Sequence, residues 1–232
     1  MKTLVFDAGP VISLTTNNLL WLLPSLRQKF GGDFCIAPAV KRELVDRPFM
    51  SKKFKFEAIQ VEQQIEAGTL KVLQHTEISQ LGERLQSLAN GVFRTEFAFV
   101  PIVQRGEMES LAAVNLINAD AFVTDERITR MLIEAPDALR FLLEKRLHAK
   151  IKVNESSLNE FLRAVGRVDV IRSFELVAVA YEFGLLDKFV VKLPHSRREL
   201  LESVLWGVKL NGCAVSEKEI DDVVLMESKK FL

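Results

Sequence analysis

Two aspartates follow short apolar runs that are typical of buried strands. Asp7 comes directly after Thr3–Phe6, and Asp125 comes directly after Ala121–Thr124. Runs of this kind predict strands buried on both faces. In a parallel sheet the carboxyl ends of the strands meet at one crevice. We therefore expect the carboxylates of Asp7 and Asp125 to point into the same crevice.

Three glutamates are expected near the same crevice. Glu43 lies in a short helix after the second predicted strand, and Glu107 and Glu109 open a later helix. Side chains two residues apart point about 200° apart on a helix. Both can therefore face the crevice only if one of them lies in the turn before the helix. We favour Glu109, with Glu107 as the alternative.

A cluster of four or five carboxylates predicts a divalent cation. Crowded like charges repel and raise each other's pKa values. Mg²⁺ and Mn²⁺ prefer oxygen ligands, and Mg²⁺ keeps waters for substrate phosphates. One such ion activates water and polarises a phosphoryl oxygen, and two ions about 3.5–4 Å apart hold both the attacking and the leaving oxygen. We therefore expect Mg²⁺ or Mn²⁺ as the cofactor.

Strands alternate with helices along the first 150 residues, which predicts an α/β fold with a mostly parallel sheet. The predicted strands are Thr3–Phe6, Phe34–Ala37, Leu70–Leu73 and Ala121–Thr124. The predicted helical segments are Val11–Phe30, Ala39–Asp46 (ending before Pro48), Phe56–Ala67, Glu107–Asn118 and Ile128–Glu134. We expect one domain over residues 1–150.

The pattern changes after Lys150. Capping-box patterns begin at Ser157, Ser196 and Ser216, each with a glutamate three residues later, which is typical of helix starts. We therefore predict a helical C-terminal extension over residues 151–232.

The acidic segments occur in four motifs that resemble those of the PIN domain, a family of metal-dependent ribonucleases. The motifs are Val5–Ile12, Lys41–Leu44, Gly106–Ala112 and Asn118–Glu126. Their order and spacing agree with that family over roughly residues 1–135. The resemblance implies a PIN-like three-layer α/β/α fold. The long third motif and the helical extension resemble an archaeal-type branch.

The resemblance also implies a set of functional residues. Asp7, Glu43, Glu109 and Asp125 would bind the metal and carry catalysis. Glu107 and Asp120 are secondary candidates, although Asp120 and Glu126 are also explained as caps or supporting groups. Thr124 matches a hydroxyl that supports the last acid.

The implied activity is cleavage of RNA phosphodiester bonds by metal-activated water, on single-stranded or structured RNA. Two alternatives stay open. Gly9, where the family often has a hydroxyl residue, and Glu109, where it commonly has Asp, favour an inactive PIN-like binding or assembly module. Relatives also act as toxins of toxin–antitoxin pairs. Candidate protein partners are therefore an antitoxin-like protein and a second copy of this chain.

The segment from Lys41 to Lys55 is a local basic field. It has six basic and two acidic residues, a net charge of +4, with Phe49, Phe54 and Phe56 interleaved. Charge combined with aromatic platforms binds single-stranded nucleic acid, but a solvated loop with its Phe side chains in the core fits equally well. The expected RNA contacts are Lys41, Arg42, Arg47, Lys52, Lys53 and Lys55, with Arg127 and Arg130 after the last acid.

Composition narrows the class of protein without selecting a function. The 31 basic and 31 acidic residues balance, which excludes a histone-like polycation and a strongly acidic chain. Cys35 and Cys213 are the two cysteines and support neither a disulfide framework nor a cysteine zinc site. Asp7 comes too early for a signal peptide, and no apolar run approaches the ~20 residues of a membrane span. We expect a cytoplasmic protein.

Overall fold

The computed structural model describes residues 2–228. The strands are β1 (Thr3–Phe6), β2 (Asp33–Ile36), β3 (Leu70–Val72), β4 (Phe93–Arg94), β5 (Ala121–Val123), β6 (Lys152–Val153) and β7 (Asp169–Ile171). The α-helices are α1 (Ala8–Thr16), α2 (Leu22–Phe30), α3 (Pro38–Lys41), α4 (Arg47–Phe49), α5 (Lys55–Glu66), α6 (Glu77–Asn90), α7 (Arg105–Leu116), α8 (Arg127–Glu134), α9 (Pro136–Leu147), α10 (Glu155–Val165), α11 (Ser173–Glu182), α12 (Ser196–Leu210) and α13 (Glu217–Ser228). A π-helical turn spans Arg42–Asp46, and a 3₁₀ turn spans Asp187–Phe189.

The central sheet has five parallel strands in the order β3-β2-β1-β5-β7 within the described residues. All three residues of β5 are buried, as are Leu4, Val5 and Phe6 of β1, because a parallel sheet is covered on both faces. The chain runs outward through β2 and β3 on one side of β1, and through β5 and β7 on the other. The order therefore reverses between β1 and β5. The α/β class and the parallel sheet predicted from the sequence are confirmed.

The helices form two groups. α7 contacts β1 and β5 and packs with α6, which in turn packs with α10. α11 packs with α1, α2 and α12, and α12 packs with α13. This arrangement is consistent with three layers, α/β/α, around one hydrophobic core.

Strand β7 corrects the prediction of a purely helical extension. Residues 151–232 are predicted to form a helical extension, but Asp169–Ile171 of this extension pairs with β5. Strand β5 would otherwise end the sheet with unpaired backbone groups, and the pairing continues as Thr124 N donates to Ile171 O at 2.9 Å. Buried residues from both sides of Lys150 belong to one core.

Two predicted helical segments differ in detail from the structure. The turns expected over Val11–Phe30 form α1 and α2, separated at Asn18, which has a φ of 55°; Asn is one of the few residues that adopt this conformation readily. The helix expected to end before Pro48 continues through the π turn and α4. The wider π turn puts Pro48 near the start of α4, where a missing N–H costs little.

The capping predictions succeed at one of three positions. Ser216 caps α13, since its hydroxyl and backbone N–H both donate to Glu219 Oε2, at 2.7 and 2.8 Å. The prediction at Ser157 is wrong because α10 begins earlier, capped by Asn154. The prediction at Ser196 is also wrong, because Ser196 is already the first helical residue of α12.

Within residues 2–228, no helix combines the length and the apolar character that crossing a membrane requires.

One core predicts one unfolding transition. Phe161, in α10, is fully buried in the shared core. Phe161→Ala is expected to lower the free energy of unfolding by about 3–5 kcal/mol, because it leaves a large cavity. Chemical denaturation followed by circular dichroism measures this. Phe141→Ala is the control, with a side chain 59% exposed and an expected change within about 0.5 kcal/mol. A second transition that keeps the parent midpoint would contradict a single core.

Candidate active site

A cavity of about 210 Å³ opens at the carboxyl ends of β1 and β5. It lies where the strand order reverses, which is the usual place for a ligand in an open α/β sheet. We call it the acidic pocket, because its lining includes the carboxylates of Asp7, Glu43, Glu107, Asp125 and Glu126.

Asp7 stands at the bottom of the acidic pocket. Its backbone N–H donates to Val123 O at 2.8 Å and extends the pairing of β1 with β5. Thr124 Oγ1 donates to Asp7 Oδ2 at 3.3 Å, and Ser110 Oγ lies 3.5 Å from Oδ1. Burial raises the pKa of Asp7 to about 6, and the charges of Glu43 and Glu126 act in the same direction. Asp7 is therefore a carboxylate held by hydroxyl groups in a place that disfavours its negative charge.

Glu107 faces Asp7 from the first turn of α7. Thr129 Oγ1 donates to Glu107 Oε2 at 2.8 Å. Burial raises the pKa of Glu107 to about 7, assisted by the charges of Asp7 and Glu126. Two neighbouring acids therefore have pKa values well above the ordinary range of carboxyl groups. A positive charge in the pocket would remove this cost of ionising them.

Asp125 is held more tightly than the other acids. Its Oδ2 accepts from Ser13 Oγ at 2.7 Å and from Ser173 Oγ at 2.8 Å, while Oδ1 accepts from Ser173 N at 2.8 Å. Ser173 is the first residue of α11, so the carboxylate also lies at a helix N-terminus, where negative charge is favoured. Asp125 is thus a buried carboxylate that accepts three hydrogen bonds from two distant segments of the chain.

Glu43 and Glu126 complete the pocket from its rim. Glu43 stands on the π turn, and a Cβ at Gly106 would come within 3.4 Å of its Oε2. Glu126 caps α8 by accepting from Ile128 N at 3.1 Å, as expected from the sequence. A Cβ at Gly9 would lie 3.4 Å from Asp125 Cβ, an ordinary contact distance, so packing does not explain the departure at this position.

Glu109 and Asp120 lie outside the acidic pocket. Both oxygens of the buried Glu109 are paired: Arg105 Nε lies 2.9 Å from Oε1 and Arg42 Nη2 lies 3.4 Å from Oε2. Ser79 of α6 also donates to Glu109. Because both glutamates lie within α7, they face opposite ways, and Glu107 is the one that lines the pocket. Asp120 accepts from Thr3 N at 2.6 Å, at the amino ends of the strands.

Among the described residues, two of the predicted RNA-contacting cations form ion pairs with carboxylates. Lys41 pairs with Asp46 and Glu62, and Arg42 pairs with Glu109. The others, apart from the half-buried Arg130, are exposed: Arg47, Lys52, Lys53, Lys55 and Arg127.

The three phenylalanines of the basic segment differ in burial. Phe49 packs against the core, as the solvated-loop alternative requires. Phe54 and Phe56 are exposed, and of these two only Phe54 borders a cavity.

The donor set of the acidic pocket fits a hard divalent cation. Its charged groups are all carboxylates, and oxygen is the ligand that Mg²⁺ and Mn²⁺ prefer. Within the described residues, no three His, Cys, Asp or Glu side chains are close enough together to coordinate one metal ion. Unneutralised carboxylates repel one another, so a spread arrangement is the expected one without a counter-charge.

Several residues that build the site carry no sequence signal. Ser13 and Ser173 are 112 and 48 residues from the aspartate they contact. Thr129, which orients Glu107, follows the last acidic motif on α8 and resembles an ordinary helix residue. Their roles come from tertiary contacts. Glu126 does have a sequence signal, namely its position next to Asp125. The same position also predicts a helix cap.

The chain shows no match to models of known protein families, to curated proteins or to solved structures. The functional inference therefore depends on the chemistry of the site.

The raised pKa values predict how stability depends on pH. The folded state raises Asp7 from 3.8 to about 6 and Glu107 from 4.5 to about 7. Their contribution to stability is fully present below about pH 4 and is lost as the pH rises through 6 and 7. Asp7→Asn and Glu107→Gln should therefore raise the free energy of unfolding near pH 8 by on the order of 1–3 kcal/mol. Denaturant titrations across this range, without divalent cations, measure the effect.

Glu96→Gln serves as the control, because Glu96 is exposed in a loop away from the pocket. Its stability profile should follow that of the parent. Parent-like profiles for both pocket variants would show that neither acid carries an electrostatic cost in the folded state.

Proposed function

We propose that this protein is a Mg²⁺- or Mn²⁺-dependent ribonuclease with a PIN-like fold. The proposal puts the cation in the acidic pocket, held by Asp7, Glu43 and Glu107, with Asp125 contributing fixed negative charge. Glu107 replaces Glu109, which the sequence pattern favoured as a metal ligand. Asp120 is not part of the proposed site.

One observation carries this proposal. Asp7 and Glu107 share a pocket in which burial and neighbouring carboxylates raise both pKa values. A purely structural site would gain stability by replacing these acids with amides, so their presence requires a reason. A cation site at the reversal point of the sheet supplies one.

The residues of the chain then have separate tasks. Thr124 helps to fix the carboxylate of Asp7, and Thr129 fixes that of Glu107. A divalent cation at this place supplies a Lewis acid for a phosphoryl oxygen and generates a water nucleophile near neutral pH. No side chain needs to become covalently attached to the substrate.

Exposed cations follow two acids of the pocket along the chain and suit a polyanionic substrate. Arg127 begins α8 directly after Glu126, and Lys52, Lys53 and Lys55 lie on the segment that follows Glu43. Cations of this kind hold backbone phosphates without reading sequence. They allow a strand to approach a pocket whose own charge would repel it.

An inactive PIN-like binding module remains the second candidate. The observation in its favour is Asp125, whose carboxylate is occupied by three protein donors. Such saturation is typical of a structural acid. Cleavage and metal binding, tested below, separate the two candidates.

Matched glutamate variants test the catalytic assignment. Glu107→Gln removes a charge from the acidic pocket, while Glu109→Gln removes one that is paired with Arg105 and Arg42. We expect Asp7→Asn and Glu107→Gln to lower the rate of Mn²⁺-dependent cleavage of single-stranded RNA by roughly a hundredfold or more. Glu109→Gln should lower thermal stability but retain most of the activity at low temperature. Electrophoresis of end-labelled RNA measures the rates.

The reverse result would move the site to the other face of α7. If Glu109→Gln abolished cleavage in a folded protein while Glu107→Gln cleaved like the parent, the acidic pocket would not be the active site. Asp7→Asn cleaving at the parent rate would overturn the nuclease proposal itself.

Cation binding is testable without activity. A ligand that binds only the folded state adds about 2.7 kcal/mol of stability at a concentration of 100 times Kd. Mn²⁺ should therefore raise the Tm of the parent and of Glu109→Gln, but raise that of Asp7→Asn much less. Differential scanning fluorimetry with increasing Mn²⁺ measures the shift. Equal shifts in the parent and Asp7→Asn would place the bound ion elsewhere.

A further inference from the structure

A second cavity, of about 270 Å³, adjoins the acidic pocket. Ile12 of α1 and Glu43 of the π turn line both cavities. We call the second one the side cavity. The shared residues show that the two cavities lie next to each other, so that adjoining parts of one strand could occupy both.

The side cavity is mainly apolar, unlike its neighbour. Leu44, Pro48 and Val61 form part of its lining, and Ile12 and Phe54 border it with side chains that are 41% and 51% exposed. Phe54 has a φ of 63°, a conformation that a bulky residue adopts only at a cost. The chain therefore holds an aromatic ring at the edge of an apolar cavity beside the proposed catalytic centre.

Positive charge accompanies this ring. Lys53 Nζ lies 4.6 Å from the centre of the Phe54 ring. Lys52 and Lys55 are exposed on either side of it. In the part of the chain that the structure describes, none of these three lysines forms an ion pair. Lys53 lies over one face of the ring, and an aromatic ring with a face left for stacking and with cations beside it is the arrangement that binds a base together with its phosphates.

We propose that the side cavity binds one nucleobase of the RNA strand whose neighbouring phosphate occupies the acidic pocket. The base stacks on Phe54 and contacts Ile12 and Val61, and the lysines hold the adjoining phosphates. This inference rests on the proposed nuclease function and adds a base subsite to it.

The polar groups around the side cavity favour a base with an exocyclic amino group. The hydroxyl protons of Thr15 and Thr16 are already donated to Val11 O at 2.6 Å and Ile12 O at 2.8 Å. The other polar side chains of the lining are the carboxylates of Glu43 and Glu57, which accept hydrogen bonds. An acceptor pairs with the amino group of adenine, cytosine or guanine, which uracil lacks.

Binding to three short RNA analogues tests the subsite. The probes are fluorescein-labelled octamers of oligoadenosine, oligouridine and the abasic sugar–phosphate chain, with the full-length protein in Ca²⁺ and with electrophoresis to verify that the probes stay intact. The parent should bind oligoadenosine more tightly than oligouridine, and the abasic chain most weakly. Phe54→Ala should weaken oligoadenosine binding by about five- to a hundredfold, as expected for a lost stacking contact. Binding of the abasic chain should change by less than about twofold.

The neighbouring Phe56 provides a matched control. It is 68% exposed and lies outside the side cavity, so Phe56→Ala should change no affinity by more than about twofold. Phe54→Tyr keeps the aromatic ring and should restore oligoadenosine binding. Equal weakening of the abasic chain and oligoadenosine by Phe54→Ala, or an effect of Phe56→Ala as large as that of Phe54→Ala, would overturn the subsite.

Cleavage assays separate this inference from the function on which it rests. With Mn²⁺, Phe54→Ala should raise KM for oligoadenosine and leave kcat close to the parent value. If the parent cleaves RNA but Phe54→Ala binds and cleaves equally well, the subsite is refuted and the nuclease stands. If the parent never cleaves RNA but its binding depends on Phe54 and on the base, the nuclease proposal fails and the base site stands. Absence of binding to every octamer overturns the subsite.

Discussion

The buried carboxylate of Asp125 is the constraint on which the site depends. A charge out of water is tolerated only when hydrogen-bond donors replace the solvent. Here those donors come from α1, through Ser13, and from α11, through the hydroxyl and backbone N–H of Ser173. The backbone carbonyl of Asp125 also accepts from Ala214 N at 3.3 Å. One aspartate therefore ties the end of β5 to segments that are far apart in sequence.

That arrangement determines where the other acids stand. With β5 fixed beside β1, Asp7 and Glu107 are forced into a buried space that disfavours their charge. Asp125 differs because it has three donors at 2.7–2.8 Å, whereas the hydroxyl partners of Asp7 lie at 3.3 and 3.5 Å and its backbone hydrogen bond from Ala8 does not offset the effect of burial. One acid is thus compensated within the fold, and the other two are not. Stability given up in this way is typical of functional sites.

The sequence was sufficient for those parts of the fold that depend on local pattern. Apolar runs located β1, β2, β3 and β5, and the acids after β1 and β5 reach the same pocket because parallel strands end together. The pattern could not locate β7, since three residues with one acid resemble many other segments. It could not separate Glu107 from Glu109 either. That choice depends on Arg105, Arg42 and Ser79, which surround one glutamate and leave the other facing Asp7.

The C-terminal segment is better understood as a wall of the site than as an appendage. Gly212 lines the acidic pocket and Ser173 hydrogen-bonds Asp125 of its lining, and a clasp centred on Arg172 holds their two segments together. Arg172 pairs with Glu175 and Glu219 and donates to Ala214 O at 3.0 Å.

The clasp and the acidic pocket contribute to stability with opposite dependences on pH. Although burial opposes it, hydrogen bonds from Ser216 and Arg172 lower the pKa of Glu219 to about 2. Its contribution to stability is complete above the ordinary value of 4.5 and is lost as the pH falls towards 2. The acidic pocket loses stability as the pH rises through 6 and 7. The clasp is therefore closed throughout the range in which the pocket titrates. A change of charge in the pocket therefore leaves the ion pairs of the clasp in place, and under the proposed function a bound cation would relieve the cost.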